Sequence, residues 1–159
     1  ESTHCLVLGA GGSARTVIQA LIHKGAESIT IKNKSTDNAL EIQLYAKKLG
    51  VKNINLYTES NGEFDIVINT TPLGMYHEKD DSGFFDIPVD KKTTLIDLIY
   101  TSNHTLFLNQ YKDQAKQSIN GLEMLIFQAI KSIEIWTETT YNVDQKLDSI
   151  KKQLEKVLC

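Results

Sequence analysis

The sequence predicts an α/β domain of three layers, in which helices cover both faces of a mostly parallel sheet. Two observations support this prediction. Short apolar or β-branched runs alternate with longer segments whose apolar residues recur at offsets of three and four. A glycine-rich turn joins the first such run to the first such segment. This alternation is typical of right-handed βαβ units, and 159 residues fit one domain, so we expect residues 1–159 to form a single domain.

Six short runs predict the strands of the sheet. They lie at residues 6–8, 28–31, 54–57, 64–68, 94–96 and 117–119. Helices are predicted between these runs and after the last of them. They comprise a segment from Ala14 to a stop at Gly25, then residues 36–49, 104–116, 121–137 and 143–158. Residues 74–92 predict a loop, and the two C-terminal helices are expected to belong to the same domain.

The apolar patterns of three helices predict which faces they bury. In residues 36–49 we expect the leucines to face inward, namely Leu40, Leu44 and Leu49. Residues 122–136 are apolar on nearly every side, which predicts a buried helix. The last helix has one apolar stripe, formed by Val143, Leu147, Ile150, Leu154 and Val157. Because this stripe spans barely two heptads, it favours a helix docked on the surface over a coiled coil.

Composition excludes several classes of function. With 17 basic and 20 acidic residues, the net charge of -3 leaves no basic footprint for nucleic acid and no polybasic membrane patch. No apolar run approaches the roughly 20 residues of a membrane span. Neither the cysteines (Cys5, Cys159) nor the histidines His23, His77 and His104 have metal-ligand spacing, so we expect no metal. The first residues lack a signal-peptide pattern, and we expect a reducing, cytoplasmic setting.

The glycine-rich turn predicts a phosphate site. The segment Gly9-Ala10-Gly11-Gly12-Ser13-Ala14 matches the pattern G-x-G-x-x-G/A. In this pattern Gly9 permits the tight turn, Gly11 lets a pyrophosphate approach the backbone, and Ala14 allows close packing of the helix on the sheet. The phosphates would lie at the helix N-terminus. A strand before the turn and a helix after it favour a Rossmann-like dinucleotide site, and the alternative is a glycine turn without a ligand.

The end of the second strand indicates which dinucleotide is bound. NAD sites usually carry an acidic residue there, which holds the ribose hydroxyls. Here the chain continues as Asn33-Lys34-Ser35-Thr36. A cation and hydroxyl groups suit a 2′-phosphate, so NADP is favoured over NAD. Asp37 leaves NAD open because it could accept hydrogen bonds from the ribose, and Lys34 could instead be a solvated surface lysine.

Several segments, taken in order, resemble the C-terminal NADP-binding domain of the shikimate dehydrogenase family. The resemblance covers about residues 6–136. The glycine turn is close to the family's GAGG-[AS]-A, and Asn33-Lys34-Ser35 is similar to its Asn-Arg-Thr. Further along lie Asn69-Thr70-Thr71-Pro72-Leu73-Gly74-Met75, Asp97-Leu98-Ile99-Tyr100 with Thr105, and Asn120-Gly121-Leu122-Glu123-Met124-Leu125 with Gln128. The first of these segments resembles the family's NATPxGM, and the second resembles D-x-x-Y-x-P-x-x-T, with Ser102 at the position of the proline. The third resembles the last motif of the family.

The resemblance implies a function for each matching position. The turn from Gly9 to Ala14 would hold the pyrophosphate. The adenine and 2′-phosphate would contact Asn33, Lys34, Ser35, Thr36 and Asn38. Thr71, Pro72, Leu98 and Gly121 would border the nicotinamide, while Tyr100 and Gln128 would reach the substrate. Lysine lacks the planar fork of the family's usual arginine, and Asn38 stands where a second basic residue often follows, so we expect a weaker clamp.

The implied reaction is a reversible hydride transfer between NADPH and 3-dehydroshikimate, which gives shikimate. In the family, a Lys and Asp pair on an N-terminal substrate domain handles the proton, and the motifs of that domain are absent from this sequence. We therefore expect no catalytic residue here, and a chain that binds NADP(H) but does not turn over alone.

Two alternatives remain open at this point. One is a quinate dehydrogenase or a relative that uses NAD, and the other is a dinucleotide-binding module without enzymatic activity. The apolar surfaces of residues 122–136 and 143–158 also predict self-association where no substrate domain covers them.

Overall fold

The computed structural model describes residues 2–60, 62–75, 83–102, 104–143 and 146–158. Within these residues the elements follow one another as β1 (His4–Leu8), α1 (Gly12–His23), β2 (Ser28–Lys32), α2 (Thr36–Lys48), β3 (Ile54–Leu56), β4 (Ile66–Asn69), β5 (Thr94–Asp97), α3 (Leu106–Gln110), β6 (Gln117–Ile119), α4 (Leu122–Thr137) and α5 (Leu147–Leu158). All six strands lie within two residues of their predicted bounds. His77 and Cys159 lie outside the described residues.

The six strands form one sheet in the order β3-β2-β1-β4-β5-β6. Every described pair of neighbours is parallel. Side chains alternate along β1, so that Val7 packs with α1 and α2 on one face. Leu6 and Leu8 pack with Phe85 and Phe107 on the other face. The predicted α/β fold of three layers is confirmed.

Local signals explain where the helices begin and end. Gly25, at a φ of 77°, follows α1 and ends it as predicted. The Ser35 hydroxyl accepts from the Asn38 N–H and begins α2. The Thr105 hydroxyl likewise accepts from the Leu108 N–H at the start of α3. Both caps lie in the segments that follow β2 and β5, and these segments leave the same edge of the sheet because the strands are parallel.

The inward face predicted for α2 is wrong. Leu40, Leu44 and Leu49 are exposed, by 41%, 57% and 43%. The buried face instead consists of Ala39, Ile42 and Ala46. These residues recur at offsets of three and four, whereas the leucines are four and five residues apart, and the two alanines let the helix backbone approach the sheet closely. The leucines lie outside this face.

The predicted burial of α4 is also wrong. Leu122 and Ile126 are buried, but Met124, Phe127 and Ile133 are more than two-fifths exposed. Ile135 and Trp136 are exposed by 75% and 78%. One face of α4 therefore packs on the domain, and its other apolar side chains have no cover in the part of the chain described. Self-association through them stays a prediction.

The third and last helices are shorter than predicted. Residues 104–116 contain a helix only over Leu106–Gln110, because Tyr111 leaves helical geometry and turns follow. The last helix begins at Leu147, so Val143 precedes it. Its surface position is confirmed, since no residue of Leu147–Val157 is fully buried. Of the helices in the described ranges, none is long and apolar enough to cross a membrane.

Tyr111, at the end of α3, holds the segment before β5 by hydrogen bonds. Its hydroxyl donates to the Phe85 carbonyl at 2.6 Å and accepts from the Ile87 N–H at 3.1 Å. Tyr111→Phe removes both of these hydrogen bonds from a buried position, so we expect the free energy of unfolding to fall by about 1–3 kcal/mol. Urea unfolding measures this, and Tyr141→Phe, with an exposed ring, is the control. A loss no larger than the control's would contradict the prediction.

Candidate functional site

The loops predicted to bind a ligand meet at one edge of the sheet. Because all the strands are parallel, the segments after β1, β2, β4 and β5 leave the same edge. The strand order reverses between β1 and β4, and the chain enters α1 directly after β1. In open α/β sheets, ligands bind beyond the carboxyl ends of the strands at such a switch point.

The first glycine of the turn is required by both conformation and space. Gly9 has a φ of 107°, which side-chain-bearing residues rarely adopt. A Cβ at this position would lie 2.7 Å from the Thr70 Oγ1 and 2.9 Å from the Thr71 Cγ2. The Gly9 N–H donates to the Lys32 carbonyl at 2.8 Å. Gly9, which directly follows β1, therefore contacts both the end of β2 and the segment after β4.

The next two glycines border open space. A Cβ at Gly11 or Gly12 would meet no heavy atom of the described chain within 4 Å. Gly11 is the N-cap of α1, and no side chain caps this helix end. Ala10 is half-buried, Ser13 is exposed and Ala14 is buried against the sheet. The N-terminal amides of α1 are therefore available to an anion.

A cavity of about 240 Å³ is lined in part by Thr71, whose side chain lies next to Gly9 of the turn. Its lining residues come from the segments after β2 and β4 and from the segment before β5. They are Asn33, Lys34, Thr71, Pro72, Leu73 and Phe84. Thr71 and Pro72 thus share a wall with the residues predicted at the adenosine end. The resemblance implied a place for them at the nicotinamide beside Leu98 and Gly121, which are not among the residues that line this cavity.

Besides Leu73, Phe84 is the lining residue to which the sequence assigned no role. The Lys34 Nζ lies 5.8 Å from the centroid of its ring. The Lys32 Nζ donates to the Asp86 carbonyl at 2.8 Å and lies 4.7 Å from the Tyr57 ring, which ties this segment to β2. The apolar pair Phe84-Phe85 within a predicted loop was the signal that could have identified it.

The remaining residues after β2 are held by local hydrogen bonds. The Asn33 side chain donates to the Ser35 carbonyl at 2.9 Å. The Ser35 hydroxyl is occupied as the cap of α2, while Thr36 and Asn38 are exposed in its first turn. Lys34 is exposed as well, so its ammonium group can reach a ligand in the cavity.

A buried carboxylate connects the ends of β4 and β5. The Asp97 Oδ1 accepts from the Asn69 side-chain amide at 3.0 Å and from the Ile99 N–H at 3.1 Å, and Oδ2 accepts from the Thr105 hydroxyl at 2.6 Å. Burial raises the pKa of Asp97, and these hydrogen bonds oppose the rise. The arrangement favours a structural carboxylate over a base exposed to substrate.

The same network holds the segment after β4. The Asn69 Oδ1 accepts from the Thr71 N–H at 3.0 Å. This backbone group can only donate, so the Asn69 NH₂ must face Asp97. In the sequence, Asn69 and Asp97 belong to two separate motifs, and nothing there connects them. The two residues are direct partners across β4 and β5.

Gly121 packs against the segment that follows β5. A Cβ there would overlap the Leu98 carbonyl oxygen and lie 2.6 Å from the carbonyl carbon. The Gly121 N–H donates to the Ile99 carbonyl at 3.0 Å. The structure therefore brings Leu98 and Gly121 together, as the predicted site requires.

The two predicted substrate residues lie on different elements. Tyr100 is half-buried in the segment after β5. Gln128 is exposed on α4, the helix that was predicted to be buried. Its backbone carbonyl accepts from the Ser132 hydroxyl at 2.9 Å. Both side chains stay predictions as substrate contacts.

Together, the parallel sheet, the switch point and the open glycine turn define a Rossmann-like fold with a dinucleotide-type site. The sequence model of the shikimate / quinate 5-dehydrogenase family matches residues 1–98. The chain belongs to this family.

Individual relatives are similar along nearly the whole chain. A shikimate dehydrogenase (NADP(+)) from Nitrosopumilus maritimus is 34% identical over 152 residues, which are 92% of this chain and 55% of the relative. One from Clostridium beijerinckii is 39% identical over 147 residues, with 89% and 50% covered. A crystal structure of shikimate dehydrogenase in complex with NADP+ has a TM-score of 0.81 at 27% identity, covering 100% of this chain and 56% of that one. The chain spans about half the length of these relatives.

Proposed function

We propose that this chain is the NADP(H)-binding part of a shikimate dehydrogenase, which interconverts 3-dehydroshikimate and shikimate. The observation that supports this most directly is the open glycine turn at the start of α1, beside a cavity that Lys34 lines. The named relatives are shikimate dehydrogenases (NADP(+)), and one solved relative holds NADP+. The proposal assigns the same cofactor to this chain.

The described residues fit such a cofactor along the edge of the sheet. The α1 amides would bind the pyrophosphate, and the cavity lined by Asn33, Thr71 and Phe84 would take the adenosine end. The nicotinamide would then lie on the other side of β1, near Leu98 and Gly121. When bound, the cofactor supplies the hydride chemistry. The residues of this chain bind and orient it.

We further propose that these 159 residues bind the cofactor without turnover on their own, with Tyr100 and Gln128 reaching substrate only in a complete active site. Mixing the chain with NADPH and 3-dehydroshikimate tests this by the absorbance of NADPH. We expect no consumption above the blank. Turnover comparable to that of a complete enzyme would overturn this part of the proposal.

Lys34 provides a test of cofactor choice. Lys34→Met removes the exposed cation beside the cavity, so we expect the dissociation constant for NADP+ to rise about tenfold and that for NAD+ to change less than about twofold. Isothermal titration calorimetry measures both. Lys24→Met, at the far end of α1, is the control. Equal losses for NAD+ and NADP+ would show that Lys34 does not contact the 2′-phosphate.

The alternative activity is that of a quinate dehydrogenase, because the matching family model covers both enzymes. Asp37, exposed in the first turn of α2, could accept from the ribose hydroxyls of NAD. Wild-type protein that binds NAD+ more tightly than NADP+ would favour this alternative. Assay of the complete parent enzyme with quinate and with shikimate would then decide the substrate.

A further inference from the structure

We propose that the buried carboxylate of Asp97 shifts the preference of this site toward the oxidised cofactor NADP+ relative to the reduced cofactor NADPH. This inference rests on the proposed function. Asp97 would not touch the cofactor or transfer a proton. It would act through its charge, held in place beneath the segment that follows β5.

The geometry suits a carboxylate at this position. Asp97 is fully buried, and its three donors are a side-chain amide, a backbone N–H and a hydroxyl. Two of these donors, from Asn69 and Ile99, have no alternative orientation, since the Asn69 oxygen is occupied by the Thr71 N–H. The site is therefore built to solvate a carboxylate with neutral dipoles, and no described donor to it carries a compensating charge.

Its place in the fold is next to the end of the site where the nicotinamide would bind. The glycine turn follows β1 and Lys34 follows β2, so a dinucleotide with its pyrophosphate on α1 and its 2′-phosphate near Lys34 extends toward β4 and β5. Asp97 is the last residue of β5 and directly precedes Leu98.

The two cofactor forms differ in charge at that end. The nicotinamide ring is a cation in NADP+ and neutral in NADPH, whereas the phosphates are the same. A buried anion attracts only the cation, and low polarity around it strengthens the attraction. Removing the charge should thus weaken NADP+ binding and leave NADPH binding nearly unchanged. Replacing a residue that only supports the fold would change the affinities for NADP+ and NADPH by the same factor.

Asp97→Asn tests the charge while keeping the shape. Its side-chain oxygen can still accept from Asn69 and Ile99, and its NH₂ can donate to the Thr105 hydroxyl oxygen. With calorimetry on the 159-residue chain, we expect the ratio of the NADP+ to the NADPH dissociation constant to rise about fivefold. Asp97→Ser, which leaves room for a water molecule, is a second neutral variant and should raise the ratio similarly.

Thr105→Val is the matched control, because it removes one donor to Asp97 and keeps the charge. We expect it to leave the ratio unchanged, even if both affinities fall. The inference is overturned if both neutral variants keep the wild-type ratio, or if Thr105→Val changes the ratio as much as they do. Failure of both neutral variants to fold would also overturn it, because the charge would then serve the fold. Wild-type protein that binds neither cofactor form would refute the proposed function itself.

Discussion

Replacing Gly11 with alanine is expected to leave the domain folded and to weaken NADP(H) binding by roughly a hundredfold. Gly11 has a φ of -91° and a ψ of -165°, a conformation that alanine adopts without strain. A Cβ there meets no atom of the described chain within 4 Å. The methyl group would occupy the space through which a pyrophosphate approaches the α1 amides. Loss of one or two charge-assisted hydrogen bonds, about 3 kcal/mol, corresponds to that factor.

Calorimetric titration with NADPH measures the loss, and thermal unfolding without cofactor shows whether the fold is preserved. Gly62→Ala is the matched control, because this glycine is also exposed with nothing within 4 Å of its Cβ, but it lies before β4, away from the turn. We expect Gly62→Ala to retain wild-type affinity. If Gly11→Ala binds NADPH within about threefold of wild type, the phosphate does not lie on this turn.

The sheet could be predicted from the sequence because its signals are local. A buried parallel strand is an apolar run such as Leu6-Val7-Leu8, and turns or caps bound each run. The faces of the helices could not be predicted as well. In α2, the predicted leucines are four and five residues apart, whereas the set that packs on the sheet has offsets of three and four and includes the small side chains of Ala39 and Ala46. In α4, apolar residues surround the helix, but the described chain covers only one face.

The candidate site could also be predicted only in part, because some of its features are local in the sequence and others are not. The glycine turn is encoded in six consecutive residues, and its position after β1 is as predicted. The contact between Asp97 and Asn69 depends on which strands are neighbours, and the sequence does not state the strand order. Phe84 reaches the cavity only because Tyr111 and Lys32 hold the segment around it, from distant parts of the chain. Such long-range contacts leave no local pattern.

Gly121→Ala is expected to destabilise the domain by about 2–4 kcal/mol, the largest expected effect of any change on its stability. The φ of -76° and ψ of 1° at Gly121 suit alanine, so the backbone conformation is no obstacle. The obstacle is space. An added Cβ would overlap the Leu98 carbonyl oxygen and lie 3.2 Å from the Leu98 Cα. These are backbone atoms of the segment after β5, which cannot rotate away as a side chain would.

Thermal unfolding measures this, and a loss of that size corresponds to a melting temperature lower by roughly 6–12 °C. Gly12→Ala, at the first residue of α1, is the matched control, because nothing lies within 4 Å of its Cβ and alanine favours a helix. It should melt at or slightly above the wild-type temperature. A loss below about 1 kcal/mol in Gly121→Ala would mean that residues 98 and 99 move freely. Leu98 would then be unable to hold a nicotinamide ring in a fixed position.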